Sequence, residues 1–203
     1  MKRILSLILI LAMLASASLT LSSCQKQQLT YVEIKVSDYG SIICAVDPQY
    51  APITVANFLS LVDEGFYDGL TFHRMQVGFV LQGGCPNGDG SGNTTPIKGE
   101  FSANGVKNTL SHTRGVLSMA RRGDSYDSGS CQFFICHQDA RVSLDGKYAA
   151  FGYVVKGMAV VDAIAEYVQE NQLDAVKDSM GALYEEYQPR IEYIKRIDYT
   201  PGV

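Results

Sequence analysis

The sequence predicts a mainly β fold, a barrel of strands capped by helices. Three observations carry that prediction. Short apolar segments, several of them alternating with polar residues, recur along the chain between turn signals. Only two or three segments carry apolar residues at helical spacing, and no internal repeat, low-complexity block or long linker divides the chain.

The elements follow in order. Thr30 to Val36 alternates, Asp38-Tyr39-Gly40 is a turn signal and Ser41 to Val46 resumes the apolar run, which predicts a hairpin. Pro52 suits the first turn of a helix on which Val55, Phe58, Leu59 and Val62 recur at i, i+3, i+4 and i+7, with Gly65 as its stop. Strands are predicted around Leu70 to Met75 and Phe79 to Gln82, before a loop rich in Gly, Asn, Ser and Thr from Gly83 to Thr95. Val116 to Ala120, Cys131 to Cys136 and Ala149 to Val155 read as further strands. Gly157 precedes a second helix carrying Val160, Val161, Ile164 and Tyr167, and Arg190 to Tyr199 alternates as the strand that closes the sheet. Leu173, Val176, Met180, Leu183 and Tyr187 fall on one helical stripe and predict an extra or extended C-terminal helix, packed as a structural addition.

The N-terminus carries an address. Met1-Lys2-Arg3 is basic and Ile4 to Leu21 is almost wholly apolar, the pattern of a secretory signal. Leu21-Ser22-Ser23-Cys24 resembles the bacterial lipobox, whose cysteine is acylated after cleavage. The expectation is a removed signal peptide over 1–23, a lipidated tether over 24–30 and one domain over 31–203, held at a bacterial membrane, outside the cytoplasm, by acyl chains on Cys24. The mature length of about 180 residues is enough for one full core.

The net charge is −4, and Lys2 and Arg3 leave with the signal, so the mature chain is acidic and no nucleic acid is expected as a partner. Four cysteines remain after Cys24: Cys44, Cys85, Cys131 and Cys136. On an extended strand Cys131 and Cys136 would stand about 16 Å apart, too far for a disulfide between them. Other pairings stay open beside the plainer reading, small buried hydrophobes. No metal site is expected. Asn87-Gly88-Asp89-Gly90-Ser91-Gly92 imitates the start of a calcium loop, but Lys98 stands where a bidentate Glu is required, and His73, His112 and His137 have no ligand spacing.

Two segments carry the chemistry. Phe72-His73-Arg74 leads into Gly78-Phe79-Val80-Leu81-Gln82-Gly83-Gly84, and Gly129-Ser130-Cys131-Gln132-Phe133-Phe134-Ile135 follows some way along the chain. Each joins a strong donor or an amide to phenylalanines at strand spacing, the material of an apolar pocket with a polar edge. Side chains two apart share a face, so Val80 and Gln82 point together, as do Gln132 and Phe134, while Phe133 and Ile135 turn to the core.

With Ala56-Asn57-Phe58, Leu117-Ser118-Met119-Ala120, Leu144-Asp145-Gly146-Lys147 and Phe151-Gly152, these motifs in this order resemble the cyclophilin-type peptidyl-prolyl isomerases, from Tyr31 to Asp198. The resemblance implies a closed eight-stranded barrel capped by two helices, isomerisation of X-Pro bonds in proline-containing polypeptides, no cofactor and a monomer. It implies Arg74 as the catalytic group assisted by Gln82, and substrate contacts from Phe79, Val80, Ala120, Arg121, Gln132, Phe134, Leu144 and Tyr148. Three positions depart from the family pattern. Ser143 replaces a frequent tryptophan, which argues against strong cyclosporin inhibition; Tyr148 replaces a histidine; and the loop from Arg121 to Ser128 is long, its two arginines suited to acidic residues beside the proline. A non-catalytic peptide-binding or chaperone module on the same fold is the alternative, and Arg74 and Gln82 favour the enzyme.

Overall fold

Residues 28–202 are described in the structure, a computed structural model; the predicted signal peptide, Cys24 and most of the tether lie outside the described residues. The first hairpin forms as its alternation predicts. β1 (Thr30–Val36) pairs antiparallel with β2 (Gly40–Val46) in a register from Thr30↔Val46 to Val36↔Gly40. The turn between them places Asp38 and Gly40 at φ 66° and 113°, the left-handed region that Asp and Gly tolerate best.

Helix α1 (Pro52–Asp63) follows, with proline in its first turn, and buries Val55, Phe58, Leu59 and Val62. It ends as expected, since Gly65 at φ 67° donates its N–H back to the Val62 carbonyl at 3.1 Å. β3 (Arg74–Gln76), β4 (Val80–Gly83), β5 (Val116–Met119), β6 (Phe133–Cys136), β7 (Ala149–Lys156) and β8 (Ile191–Ile197) complete the sheet. A single-turn helix α2 (Arg141–Leu144), which periodicity does not announce, precedes β7, and α3 (Met158–Glu170) follows it. Val160, Val161 and Ile164 of α3 are buried, but Tyr167 is exposed and Val168 takes its place on the inner face.

The eight strands form one curled sheet in the order β3-β4-β6-β5-β7-β2-β1-β8. No ladder joins β3 to β8, so the sheet is open there and the expected closed barrel is corrected. Irregular backbone spans the gap: Gly69 and Phe72 donate to the Ile191 and Pro189 carbonyls at 2.8 and 2.9 Å, and Ile191 donates to Leu70 at 2.7 Å. Those bonds engage residues 69–72 with Pro189 and the first residue of β8, which is why β3 is shorter than the predicted Leu70 to Met75.

The expected C-terminal helix is also corrected. After α4 (Gln172–Ala175), a single turn, Val176 bridges Leu183 and the chain between them is a tight hairpin, followed by a short 3₁₀ turn at Glu185–Tyr187. Gly181 at φ 86° and the Asp178 side chain, accepting from the Met180 and Ala182 amides at 2.8 and 3.2 Å, make the turn. Local hydrogen bonding of this kind competes with helix and overrides the apolar stripe.

The main core lies inside the curl. Phe58 of α1 meets Tyr67, Phe133 and Phe151 with ring centroids 5.4, 5.5 and 5.1 Å away, and Val32, Ile34, Leu81, Leu117 and Ile135 fill in around them. Cys44, Cys85, Cys131 and Cys136 are buried and free. Burial pushes the Cys136 thiol up to about 12, so it stays protonated and behaves as a small hydrophobe. Among the described residues, no helix is long and apolar enough to cross a membrane.

Candidate active site

A second apolar cluster lies on the outer side of the same strands. Strand alternation sends Leu81, Phe133 and Ile135 into the main core, and their neighbours Val80, Phe134 and Cys136 into the outer cluster with Val116, Leu144 and Ala150. Phe79, Ala120 and Tyr148 pack against it. Phe134 is 3% exposed and forms the floor, with the Tyr148 ring edge-on at 5.8 Å.

The register then lays a row across the sheet, Arg74 opposite Gln82, Gln82 opposite Phe134 and Phe134 opposite Ser118. A cation, an amide and an apolar ring thus stand side by side on adjacent strands. Arg74 Nη1 donates to Gln82 Oε1 at 3.2 Å, Nη2 donates to Gln76 Oε1, and Nε donates to the Met180 carbonyl at 2.7 Å. Burial lowers the Arg74 pKa and the Asp178 carboxylate opposes that shift. The guanidinium stays charged, because its ordinary pKa lies so far above neutrality.

The amides are locked in turn. Gln82 Nε2 donates to Gln132 Oε1 at 3.0 Å, and Gln132 Nε2 donates to the Gly90 and Gly92 carbonyls, both at 2.8 Å. Gln132 lies one residue before β6 and is 6% exposed, so the glycine-rich loop fixes the orientation of both glutamines. Beside them a cavity of about 430 Å³ is lined by Gln82, Gln132, Ala120, Arg121 and Arg122 among others.

The floor rests on a polar chain whose inner members, His112 and Ser118, are buried. His112 Nδ1 lies 2.8 Å from Asp145 Oδ1 and its Nε2 2.9 Å from Ser118 Oγ, while the imidazole stacks on Phe134 at 6.1 Å. The Asp-His-Ser order imitates a hydrolase triad. Ser118 is fully buried between β6 and β7, however, so its hydroxyl is closed to any substrate and the chain supports the ring above it.

On the far rim Arg121 is already engaged. Its guanidinium carbon lies 4.6, 5.0 and 5.4 Å from the Tyr148, Tyr126 and Phe101 ring centres, and its Nε and Nη1 donate to the Lys147 and Arg122 carbonyls at 2.9 and 2.8 Å. Arg122 pairs with Asp124 at 3.2 Å, and Ser143 is exposed. All ten residues expected to contact or act on a substrate therefore meet around one groove. Gln76, Met180 and the loop carbonyls of Gly90 and Gly92 are additions that the sequence does not announce. Gln76 shares a strand face with Arg74 and is in principle findable; the others act through backbone and leave no trace in side-chain pattern.

The curled, open β-sheet thus presents an apolar floor beside a fixed guanidinium and two tethered amides. Comparison with known proteins makes the class specific. Residues 31–181 match the family described as cyclophilin type peptidyl-prolyl cis-trans isomerase/CLD, and the chain belongs to that family. It is 49% identical over 124 residues to peptidyl-prolyl cis-trans isomerase B of Bacillus subtilis, covering 61% of this chain and 82% of that protein. It is 42% identical over 139 residues to a peptidyl-prolyl cis-trans isomerase of Helicobacter pylori, covering 67% and 80%. A crystal structure of a Cryptosporidium parvum cyclophilin type isomerase in the presence of the dipeptide Ala-Pro superposes with a TM-score of 0.69 at 25% identity, over 83% of this chain and 99% of that one.

Proposed function

We propose that the groove accelerates rotation about X-Pro bonds with Arg74 stabilising the twisted amide and Gln82 holding both Arg74 and the substrate backbone. The chain is a peptidyl-prolyl cis-trans isomerase, and the observation that carries the role of Arg74 is its donor count. A guanidinium has five N–H groups, of which three are used by Met180, Gln82 and Gln76, so Nη1 and Nη2 each keep one. Amide rotation meets a barrier of about 18–20 kcal/mol because the nitrogen lone pair is delocalised into the carbonyl. At the top of the barrier that lone pair is localised on the prolyl nitrogen, and a fixed donor aimed there binds the twisted form better than either planar one. Val80, Phe134 and Leu144 take the ring, and Phe79, Ala120, Arg121, Gln132 and Tyr148 border it. The Ala-Pro dipeptide with the Cryptosporidium relative supports a proline peptide as the occupant.

Exchange NMR on a proline peptide tests this reading. Arg74→Ala should lower kcat/KM by about 10²-fold, the scale of losing one preorganised donor, with the melting temperature nearly unchanged. Full activity would remove Arg74 from the mechanism. Substrates are proposed to be exported polypeptides met at the membrane by a monomer tethered through acylated Cys24. Mass spectrometry of the membrane-extracted protein should find a lipid-modified Cys24 as first residue; a retained Met1 would defeat the anchor.

A further inference from the structure

We infer that the hairpin at residues 176–183 is a positioning element for Arg74, with Asp178 and Gly181 as the residues that set it. The inference rests on the role of Arg74 given above. Sheet edges leave N–H and C=O groups unpaired, and β3 is such an edge. The hairpin takes that edge. Met75 donates to the Gly181 carbonyl and Leu183 donates to the His73 carbonyl, each at 2.9 Å, and Ala182 bridges Arg74 itself.

The same docking aims the Met180 carbonyl at Arg74 Nε at 2.7 Å. Of the three groups that hold the guanidinium, this one alone is backbone, and it comes from outside the β3–β4 ladder. Gln82 and Gln76 grip the two Nη atoms, about which the planar group could still pivot; a fixed acceptor on Nε fixes its plane and so the direction of the two remaining N–H bonds.

The approach requires glycine. A Cβ at Gly181 would stand 2.5 Å from the Met75 carbonyl oxygen, and its φ of 86° is strained for any other residue. Asp178 shapes the turn by accepting from the amides on either side of Gly181, and its carboxylate adds a favourable charge for Arg74. Neither residue reaches the apolar floor, so their effect on the reaction has to pass through the guanidinium.

The test is a double-mutant cycle in the full chain, read by exchange NMR and by the Arg74 Nε–Hε resonance. Asp178→Ala and Gly181→Val should each lower kcat about ten-fold with KM unchanged, the signature of a contact felt in the transition state. The Nε–Hε signal should shift in both. In an Arg74→Ala background Asp178→Ala should have no further effect. Unchanged kcat in both hairpin variants, or a loss that persists in the Arg74→Ala background, overturns the positioning role while leaving Arg74 itself in place. Full activity of Arg74→Ala instead overturns the reading of Arg74, and this inference with it.

Discussion

The two halves of the groove are built in different ways. The apolar half, Val80, Phe134 and Leu144, is 2–5% exposed; strand register fixes Val80 and Phe134, and the short helix α2 brings Leu144 against them. The polar half, Arg74, Gln82 and Gln132, shares that register but is oriented by a side-chain relay anchored at each end on loop carbonyls, from the 176–183 hairpin at Arg74 and from the glycine-rich stretch around Gly90 at Gln132. On the proposed role of Arg74, one half serves chiefly the fold's stability and the other the chemistry.

The sharpest way to break that division is Phe134→Ala. Loss of a buried phenylalanine costs about 3–5 kcal/mol, so chemical denaturation should show a large drop in midpoint with the slope retained, together with loss of turnover. Arg74→Ala should do the reverse, losing turnover and keeping the midpoint. If Phe134→Ala left stability intact, the apolar half would be a surface pocket and the contrast would fail.

The apolar half is legible in the sequence because alternation is a sequence property. A period of two, by position along the chain alone, sorts Val80, Gln82 and Phe134 from Leu81, Phe133 and Ile135. The polar half is legible only as residue types: Arg74, Gln82 and Gln132 can be named, but the carbonyls of Met180, Gly90 and Gly92 that complete their network are backbone groups distant along the chain. The C-terminal segment shows the same limit from the other side. Leu183 is buried as a helical stripe would require, yet a glycine with positive φ and an Asx turn decide the local structure, so Met180 is left exposed. Likewise the gap between β3 and β8 is invisible to periodicity, since residues 69–72, which span it, belong to no strand of the sheet.

A pH titration probes the ground beneath the polar half. His73 is 4% exposed, its two ring nitrogens have no hydrogen-bond partner among the described residues, and burial lowers its pKa from 6.5 to about 4, reinforced by the Arg74 charge and opposed by Asp89. The folded state thus binds this proton less readily than the unfolded one. Stability is full above pH 6.5, falls as pH drops toward about 4, and is then lost by up to about 3 kcal/mol. Unfolding midpoints measured across that window should decline, and His73→Gln should flatten the decline. An equally steep decline in His73→Gln would assign it to other groups, His112 first among them, since burial lowers its pKa as well.

The smallest effect concerns the far rim. Arg121 and Arg122 together suggest a preference for acidic residues beside the proline, but the two are not equivalent in the structure. Arg121 is stacked among Tyr148, Tyr126 and Phe101 and spends two donors on carbonyls, whereas Arg122 is 63% exposed with only Asp124 beside it. A cation over aromatic faces contributes about 0.5–1 kcal/mol at such sites, so Arg121→Ala should lower stability by about that amount. Its effect on the ratio of kcat/KM for acidic and basic peptides should be under about two-fold, because this half-buried cation is already engaged with the three rings and two carbonyls. Arg122→Ala should change that ratio more, and raised salt should erase the difference. A larger change from Arg121→Ala than from Arg122→Ala would mean that the aromatic cage aims its arginine at the substrate, making the far rim part of the polar half after all.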